Sequence, residues 1–250
     1  MGTKFRYDRI GKGYSQTRCE DPVIRDRIHQ ALGNAQSVVN VGAGTGSYEP
    51  TDRQVLPIEP SDVMVAQRPR LLAPAICAVA GQLPLQNASV DAAMTVLSLH
   101  HWDDVERGVR ELRRVAKGRV VLLTYDGEVS SRMWLMADYL PEVAALDRHI
   151  FPAPEQLAEW LGGDTSIEIL PIHRDCKDWM LGTFWAHPER VLDSEARAAT
   201  SGFARMDQQI VDRVVRDVSR DLESGAWDQR YGELRKLQEF DAGLRLVVAN

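Results

Sequence analysis

Three glycines, Gly42, Gly44 and Gly46, follow the apolar, β-branched run 38–41. Because glycine has no Cβ, a strand that ends in such a turn lets backbone amides approach a ligand closely. A second short apolar run, 55–58, ends on Glu59. An acidic residue at the tip of the second strand of a β-α-β unit is placed to accept hydrogen bonds from ribose hydroxyls. These features together predict a site for a cofactor that contains a nucleoside.

The spacing of the glycines indicates which cofactor. A dinucleotide fingerprint reads G-x-G-x-x-G, and its third glycine would stand where this chain has Ser47. The alternating pattern here instead resembles motif I of the class I S-adenosylmethionine-dependent methyltransferases, particularly the type 11 group. Three further segments fit this resemblance in order and spacing, namely 58–64, 80–85 and 89–102.

The resemblance implies S-adenosylmethionine as the cofactor and also implies which residues hold it. Tyr14 would close over the cofactor, and Arg18 would pair with its methionyl carboxylate, a contact that suits a guanidinium group. The expected cofactor-binding residues are Tyr14, Arg18, Asn40, Gly42, Ala43, Gly44, Gly46, Glu59, Pro60, Val79, Ala80, Gly81, Leu83, Val96 and Leu97.

Two positions depart from the family pattern. Asn40 stands where relatives usually have Asp, so the group expected to orient the loop and meet the methionyl ammonium is neutral, although it keeps an acceptor oxygen. Val79 stands where many relatives carry an acidic residue that accepts from the adenine amino group. Adenine recognition would then rest on the backbone near Ala80 and Gly81 and on apolar contact with Leu83.

Three histidines are the candidates for a catalytic base. Methyl transfer to oxygen or nitrogen sheds a proton, and the pKa of histidine suits its removal at neutral pH. His100 and His101 follow the fourth predicted strand, although the family commonly ends this strand with rings that only support the loop. His173, with Asp175 nearby, follows the sixth, where a turn role is equally plausible. No metal site is expected.

Strands alternate with helices along most of the chain. Strands are predicted at 37–41, 55–58, 75–79, 91–97, 119–125, 167–172 and 244–248, and the clearest helices at 20–33, 104–115 and 207–222. This alternation predicts an α/β fold with a doubly wound, mostly parallel, seven-stranded sheet of the Rossmann-like type and a helical cap.

The chain is expected to form one methyltransferase domain over residues 1–250. Within it, 1–32 would be an N-terminal helical lid, 33–172 the cofactor-binding sheet core, 173–243 a helical substrate cap and 244–250 the last strand. Inserted elements in open α/β folds tend to lie over the carboxyl ends of the strands. Trp179, Phe184 and Trp185 are therefore expected to line the substrate pocket, unless they merely pack the insert onto the sheet.

Composition restricts the partners. The chain has 250 residues, 44% hydrophobic and 26% charged, with a net charge of −6 and no markedly basic stretch, which disfavours a nucleic-acid substrate. The three cysteines are far apart, no signal peptide precedes Tyr7, and no apolar run approaches the roughly 18 residues of a membrane span. The cytoplasm is the expected location, and the oligomeric state stays open.

The sequence therefore predicts transfer of a methyl group from S-adenosylmethionine to a small organic molecule, at an oxygen, nitrogen or carbon atom. A nicotinamide-dependent reductase is the alternative enzyme, and it is disfavoured by Ser47 and by the lack of a Tyr-x-x-x-Lys proton relay. A non-catalytic cofactor-binding or scaffold protein of the same fold is the other alternative.

Overall fold

A twisted sheet of six strands forms the centre of the protein, whose computed structural model describes residues 18–250. Two further strands form a separate ribbon. In chain order the strands are β1 (Ser37–Val41), β2 (Gln54–Ile58), β3 (Ala92–Val96), β4 (Val120–Tyr125), β5 (Thr165–Ile169), β6 (Ile172–His173), β7 (Glu239–Phe240) and β8 (Leu244–Ala249). The order across the large sheet is β2-β1-β3-β4-β8-β5, and β6 pairs with β7.

Strand direction creates a crevice beside β1. β1 pairs in parallel with β2 on one side and β3 on the other, and β3 pairs in parallel with β4. The last strand, β8, runs antiparallel to both β4 and β5. The chain passes from β1 to β2 on one side of β1, while β3 lies on the other side of β1, so the loops after β1 and β3 diverge. Ligands of open α/β sheets bind in the crevice at such a point. The doubly wound, mostly parallel architecture is thus confirmed.

The described helices are mostly short. They are α1 (Pro22–Leu32), α2 (Asp62–Val65), α3 (Val105–Val115), α4 (Gly127–Ser130), α5 (Pro141–Ile150), α6 (Pro154–Leu161), α7 (Ser194–Ala198), α8 (Ser201–Ala204), α9 (Gln208–Glu223) and α10 (Ala226–Tyr231). Asp21 caps α1 by accepting hydrogen bonds from two amides of its first turn, and Asp104 caps α3 in the same way with one. Among residues 18–250, no helix is both long and apolar enough to cross a lipid bilayer.

Two hydrophobic layers cover the two faces of the sheet. Along β1, Val38 belongs to one layer and Val39 to the other, as the alternation of side chains in a strand requires. The layer beneath Val39 is completed by α3 and α6. The layer above Val38 is completed by α1 and by apolar side chains of the segment 173–243.

The sheet has one strand fewer than the sequence predicts. Residues 75–79 contribute only a single parallel bridge, from Ile76 to Ile58, and Val79 is 56% exposed. The segment follows Pro74 and runs along the surface rather than into the core. The sixth predicted strand, 167–172, is divided, because Pro171 has no amide hydrogen to continue the ladder and the chain leaves the sheet there to form β6.

The aromatic side chains of segment 173–243 belong to the core. Trp185 is fully buried and stacks on Phe240 with ring centroids 5.5 Å apart, and its carbonyl accepts a hydrogen bond from the indole of Trp134. Phe184 is also fully buried and lies 6.4 Å from the ring of Phe203. These rings attach the segment to the sheet.

Replacing Trp185 with alanine should therefore lower the free energy of unfolding by about 3–5 kcal/mol, the usual cost of truncating a large buried aromatic side chain. Denaturant unfolding measures this loss, and Leu192→Ala, at an exposed position of the same segment, is the control expected to change stability little. A Trp185→Ala protein as stable as the wild type would contradict the core assignment.

Candidate active site

A cavity of about 590 Å³ lies where β1, β2 and β3 end. Its walls come from the glycine loop after β1, from the turn after β2, from the surface segment 77–82 and from the loop after β3. Arg18 and Asp178, which are 160 positions apart in the chain, complete it. This is the position at which open α/β folds bind their ligands.

The glycine loop adopts a backbone that requires glycine. Gly42 has φ of 73° and Gly44 has φ of 52°, both in the left-handed region that side chains disfavour. A Cβ on Gly42 would also lie 1.8 Å from Ser98 Oγ, so the loops after β1 and β3 touch because this residue has no side chain. The amides of Gly42 and Ala43 both donate to the carbonyl of Ile58, at 2.9 and 3.0 Å, which fixes the loop to the end of β2.

Glu59 lies beneath this loop. One carboxylate oxygen accepts a hydrogen bond from the amide of Gly44 and the other from the amide of Ser61, each at 2.8 Å. Burial raises the pKa of Glu59, and these two hydrogen bonds oppose the rise. The carboxylate therefore both shapes the loop and lines the cavity.

Asn40 belongs to a buried polar network that explains why it is not aspartate. Its Nδ2 donates to Glu49 at 3.0 Å, and the other oxygen of Glu49 pairs with Arg68 at 2.7 Å. Arg68 also donates to the carbonyl of Gly44 at 3.3 Å. The Glu49 carboxylate is thus the negative charge that pairs with Arg68. The side chain beside it, at position 40, must donate a hydrogen bond to it, which an amide can do and a carboxylate cannot. Asn40 Oδ1 is buried and has no hydrogen-bond partner among residues 18–250, so an acceptor remains on the cavity wall.

Asp178 joins three segments that are distant in the chain. Its carboxylate, 2% exposed, pairs with the guanidinium of Arg18 and accepts a hydrogen bond from Tyr48 Oη at 2.9 Å. Tyr48 Oη in turn accepts from the amide of Asp21 at 3.2 Å, and the side chain of Asp21 accepts from the amide of Lys177 at 3.1 Å. Burial raises the pKa of Tyr48, and the charge of Asp178 raises it further, so the hydroxyl remains a donor.

Most of the residues that the resemblance assigns to the cofactor lie around the larger cavity. Those that line it are Arg18, Asn40, Gly42, Ala43, Gly44, Glu59, Pro60, Val79, Ala80, Gly81, Val96 and Leu97. Gly46 instead faces Leu72, and Leu83 is buried in the layer against α3, so neither lines this cavity. Arg18 reaches it already paired with Asp178. Tyr14 lies outside the described residues.

Several residues that line the larger cavity are not predicted from the sequence. The most informative are Tyr48, Met64, Ser98, Trp102, Arg107 and Asp178. Trp102 donates its indole hydrogen to Ser98 Oγ at 3.1 Å and packs where a Cβ on Gly108 would intrude, 2.4 Å from the ring. Such contacts join different loops and leave no local pattern. Met64 and Trp102 lie within segments that resemble the family, which is the signal that could have drawn attention to them.

A smaller cavity of about 60 Å³ adjoins the larger one. Arg18, Leu97 and His101 line both. Leu97 has φ of 50°, a left-handed conformation that is rare for leucine, and its amide still donates to Leu123 at 2.9 Å. Strained residues of this kind concentrate at functional sites, and here the strained residue separates the two cavities.

The three candidate histidines have different surroundings. His101 Nδ1 lies 3.1 Å from Arg205 Nη2, and because a guanidinium only donates, the ring accepts there and its neutral form carries the proton on Nε2. His100 lines the smaller cavity and lies 4.6 Å from the ring of Phe151. His173 has an exposed side chain beside Asp175 and lines neither cavity, because β6 leads away from the site.

The aromatic residues expected to line a substrate pocket do not do so in either cavity. Trp185 and Phe184 are core residues, and Trp179 lies under the guanidinium of Arg190, 4.8 Å from the ring centroid. The smaller cavity is lined from this segment by Met180, Leu181 and Gly182 instead. None of the three rings lines either cavity, and their contact with substrate stays a prediction, because a large apolar side chain gives the same sequence pattern in a core as in a pocket.

Comparison with known proteins identifies the family of this chain. Residues 39–124 match the family model described as a methyltransferase domain, of type 11. The crystal structure of a putative methyltransferase from an antibiotic biosynthesis pathway of Anabaena variabilis is 31% identical, with 94% of this chain and 99% of that chain covered and a TM-score of 0.86.

Two other proteins are less similar, the first in fold only and the second over about half of its length. Geranyl diphosphate C-methyltransferase of Streptomyces coelicolor, solved with Mg²⁺, geranyl diphosphate and S-adenosylhomocysteine, is 14% identical, with 91% of this chain and 78% of that chain covered and a TM-score of 0.53. An uncharacterised protein of Methanocaldococcus jannaschii is 23% identical over 144 residues, which are 56% of this chain and 57% of that protein.

The network around Asn40 generates a stability prediction. Asn40→Asp would put two carboxylates 3.0 Å apart in the interior, since Nδ2 now donates to Glu49 over that distance. We expect a loss of about 3–5 kcal/mol in the free energy of unfolding, the typical effect of an uncompensated buried charge, measured by denaturant titration at neutral pH.

The double variant Asn40→Asp/Glu49→Gln exchanges donor and acceptor and should regain part of this stability. Asn34→Asp, on an exposed residue, is the control for the addition of one negative charge. Equal stability of Asn40→Asp and the wild type would rule out the donor role assigned to Asn40.

Proposed function

Because this chain belongs to the methyltransferases that use S-adenosylmethionine, we propose that it transfers the methyl group to a small molecule held in the smaller cavity. The family indicated by the glycine spacing is thereby confirmed. The observation that carries the proposal is that the two cavities adjoin at Leu97, with Arg18 and His101 on the wall of both. A donor in one cavity and an acceptor in the other would meet there.

The residues of the larger cavity fit the cofactor. Asn40 Oδ1 is a buried acceptor with no partner in the described part of the chain, which suits the methionyl ammonium. Glu59 suits the ribose hydroxyls, and the left-handed glycines let a ligand come close to the loop because they have no side chains. Val79 and Ala80 provide the apolar contact expected for adenine. Arg18 would reach the methionyl carboxylate while remaining bound to Asp178.

Positioning is the main contribution of the protein to this reaction. When bound, S-adenosylmethionine supplies an activated methyl group, so the chain must hold the acceptor atom in line with it and keep water away. Leu97 and Met180 offer apolar walls on the side of the smaller cavity, and Arg18 is restrained by its ion pair with Asp178. Fixed side chains of this kind lower the entropy cost of bringing the two reactants together.

The size of the smaller cavity and the net charge of the chain indicate the class of substrate. The smaller cavity admits only a compact group, and the net charge of −6 supports a small-molecule acceptor rather than a nucleic acid. The free thiols of Cys77 and Cys176 support action in the reducing cytoplasm. In this proposal the segment 173–243 serves as the cap and the segment 33–172 as the cofactor core, and Met180–Gly182, rather than the tryptophans, meet the substrate.

Calorimetry with S-adenosylmethionine, S-adenosylhomocysteine and NADH tests the cofactor assignment. The wild type should bind the first two and not the third. Glu59→Gln keeps the size of the side chain but removes the charge that accepts from Gly44 and Ser61. It should weaken S-adenosylmethionine binding by about 1.5–3 kcal/mol, which is roughly 10- to 150-fold in Kd.

Glu128→Gln is the matched control, since that side chain is exposed and lies outside both cavities. If Glu59→Gln binds S-adenosylmethionine as tightly as Glu128→Gln does, the ribose assignment is wrong. Binding of NADH in preference to S-adenosylmethionine would contradict the proposed function itself.

A further inference from the structure

The smaller cavity contains polar groups that cofactor binding does not require. Asp147, on α5, and Tyr125, at the end of β4, both line it. The rest of the wall mixes apolar side chains, such as Phe151, Met136 and Met180, with polar ones. A few polar groups in an apolar pocket are the usual means of orienting a bound small molecule.

Tyr125 presents a hydroxyl with unused hydrogen-bonding capacity. Its Oη is buried and has no hydrogen-bond partner in the described part of the chain. A Cβ on Gly182 would lie 2.5 Å from this oxygen, although the backbone of Gly182 is not left-handed and does not itself require glycine. The absence of a side chain at Gly182 therefore leaves room at the hydroxyl. A buried hydroxyl without a partner is costly, and a ligand that bonds to it removes the cost.

Asp147 is a carboxyl group adapted to exchange a proton near neutral pH. Burial raises its pKa from 3.8 to about 7, and the positive charge of Arg205 opposes the rise. The charged and titratable side chains that face it around the cavity are Arg18, His100, His101, Tyr125 and Arg205. Among them, His101 already accepts a hydrogen bond from Arg205 through Nδ1, which leaves its Nε2 as a donor.

We propose that Asp147 accepts the proton that the acceptor sheds, that Tyr125 Oη hydrogen-bonds the acceptor atom, and that the substrate therefore presents a nitrogen or oxygen carrying a hydrogen. This inference rests on the proposed function and names the acceptor chemistry and the base within it. It gives the proton to Asp147 rather than to His100, His101 or His173.

The step balances in atoms and charge. The nucleophilic nitrogen or oxygen forms a bond to the methyl carbon, the carbon–sulfur bond breaks, and its electron pair remains on sulfur, which loses its positive charge. The hydrogen of the nucleophile passes to the Asp147 carboxylate, which becomes a neutral carboxylic acid and later releases the proton to water. A general base of this kind contributes about 10²- to 10⁴-fold to a rate when its pKa lies near the working pH.

Matched probes test the recognition part of the proposal. Ethylamine, ethanol and propane are compact enough for a cavity of about 60 Å³ and differ in the group that would face Asp147. We would titrate each by ligand-observed NMR into protein saturated with S-adenosylhomocysteine. At least one of the two polar probes should bind about 10-fold more tightly than propane or better, as expected for a hydrogen bond to a charged group.

Asp147→Asn should abolish this preference, while Asp164→Asn, on an exposed residue outside the cavity, should keep it. Calorimetry with S-adenosylhomocysteine on each variant separates the two proposals, because Asp147 does not line the larger cavity and the variant should bind this ligand normally. Propane binding as tightly as both polar probes, or an unchanged preference in Asp147→Asn, would overturn the inference. Failure of the wild type to bind S-adenosylhomocysteine would overturn the proposed function instead.

A second readout needs no ligand. Because the pKa of Asp147 is raised from 3.8 to about 7, the native state binds more protons than the unfolded state between these values, and this residue makes stability fall as pH rises through that window. The change in melting temperature from pH 5 to pH 8 should therefore be less negative in Asp147→Asn than in Asp164→Asn. Equal changes in the two variants would show that Asp147 does not titrate as the proposal requires.

Discussion

The carboxylate of Asp178 lies where three parts of the chain meet, and the arrangement of the site depends on it. The side chain is almost completely buried, and an isolated buried charge is costly, so its bonds to Arg18 and Tyr48 must persist in the folded protein. Removing one partner of a buried ion pair typically costs about 3–5 kcal/mol. Arg18 precedes the first described helix, Tyr48 follows the glycine loop and Asp178 follows β6. This single group therefore holds the segment after β6 against the larger cavity.

The two cavities adjoin as a consequence of this constraint. Arg18, fixed by Asp178, lies on the wall of both, and Tyr48 is held with φ of 66° in spite of the strain that a left-handed backbone imposes on a tyrosine. A second buried network, of Asn40, Glu49 and Arg68, fixes the same loop from below. The glycine loop is therefore rigid on both sides of the ligand, which is the preorganisation that a reaction governed by positioning requires.

Features with a local pattern could be predicted from the sequence, and features made by distant contacts could not. The glycine loop, Glu59, and the strands around them depend on neighbouring residues, and the structure has them close to the expected positions. The bond of Asp178 to Arg18 joins residues 160 positions apart, and no pattern in the sequence predicts a contact over that separation. The polar groups Asp147 and Tyr125 line the same cavity only after α5 packs against α4, which follows β4. The hydrogen bond from Asn40 to Glu49 is likewise not visible in the sequence. It explains why Asn40 departs from the family pattern, since an amide can donate to the carboxylate and an aspartate could not.

A crystal structure of the protein with S-adenosylhomocysteine tests this account most directly. The ligand should occupy the larger cavity with its ribose hydroxyls at Glu59 and its sulfur at Leu97, facing the smaller cavity, while the bonds of Asp178 to Arg18 and Tyr48 remain. A ribose bound away from Glu59, or a sulfur directed away from the smaller cavity, would contradict the claim that the two cavities form one site for methyl transfer.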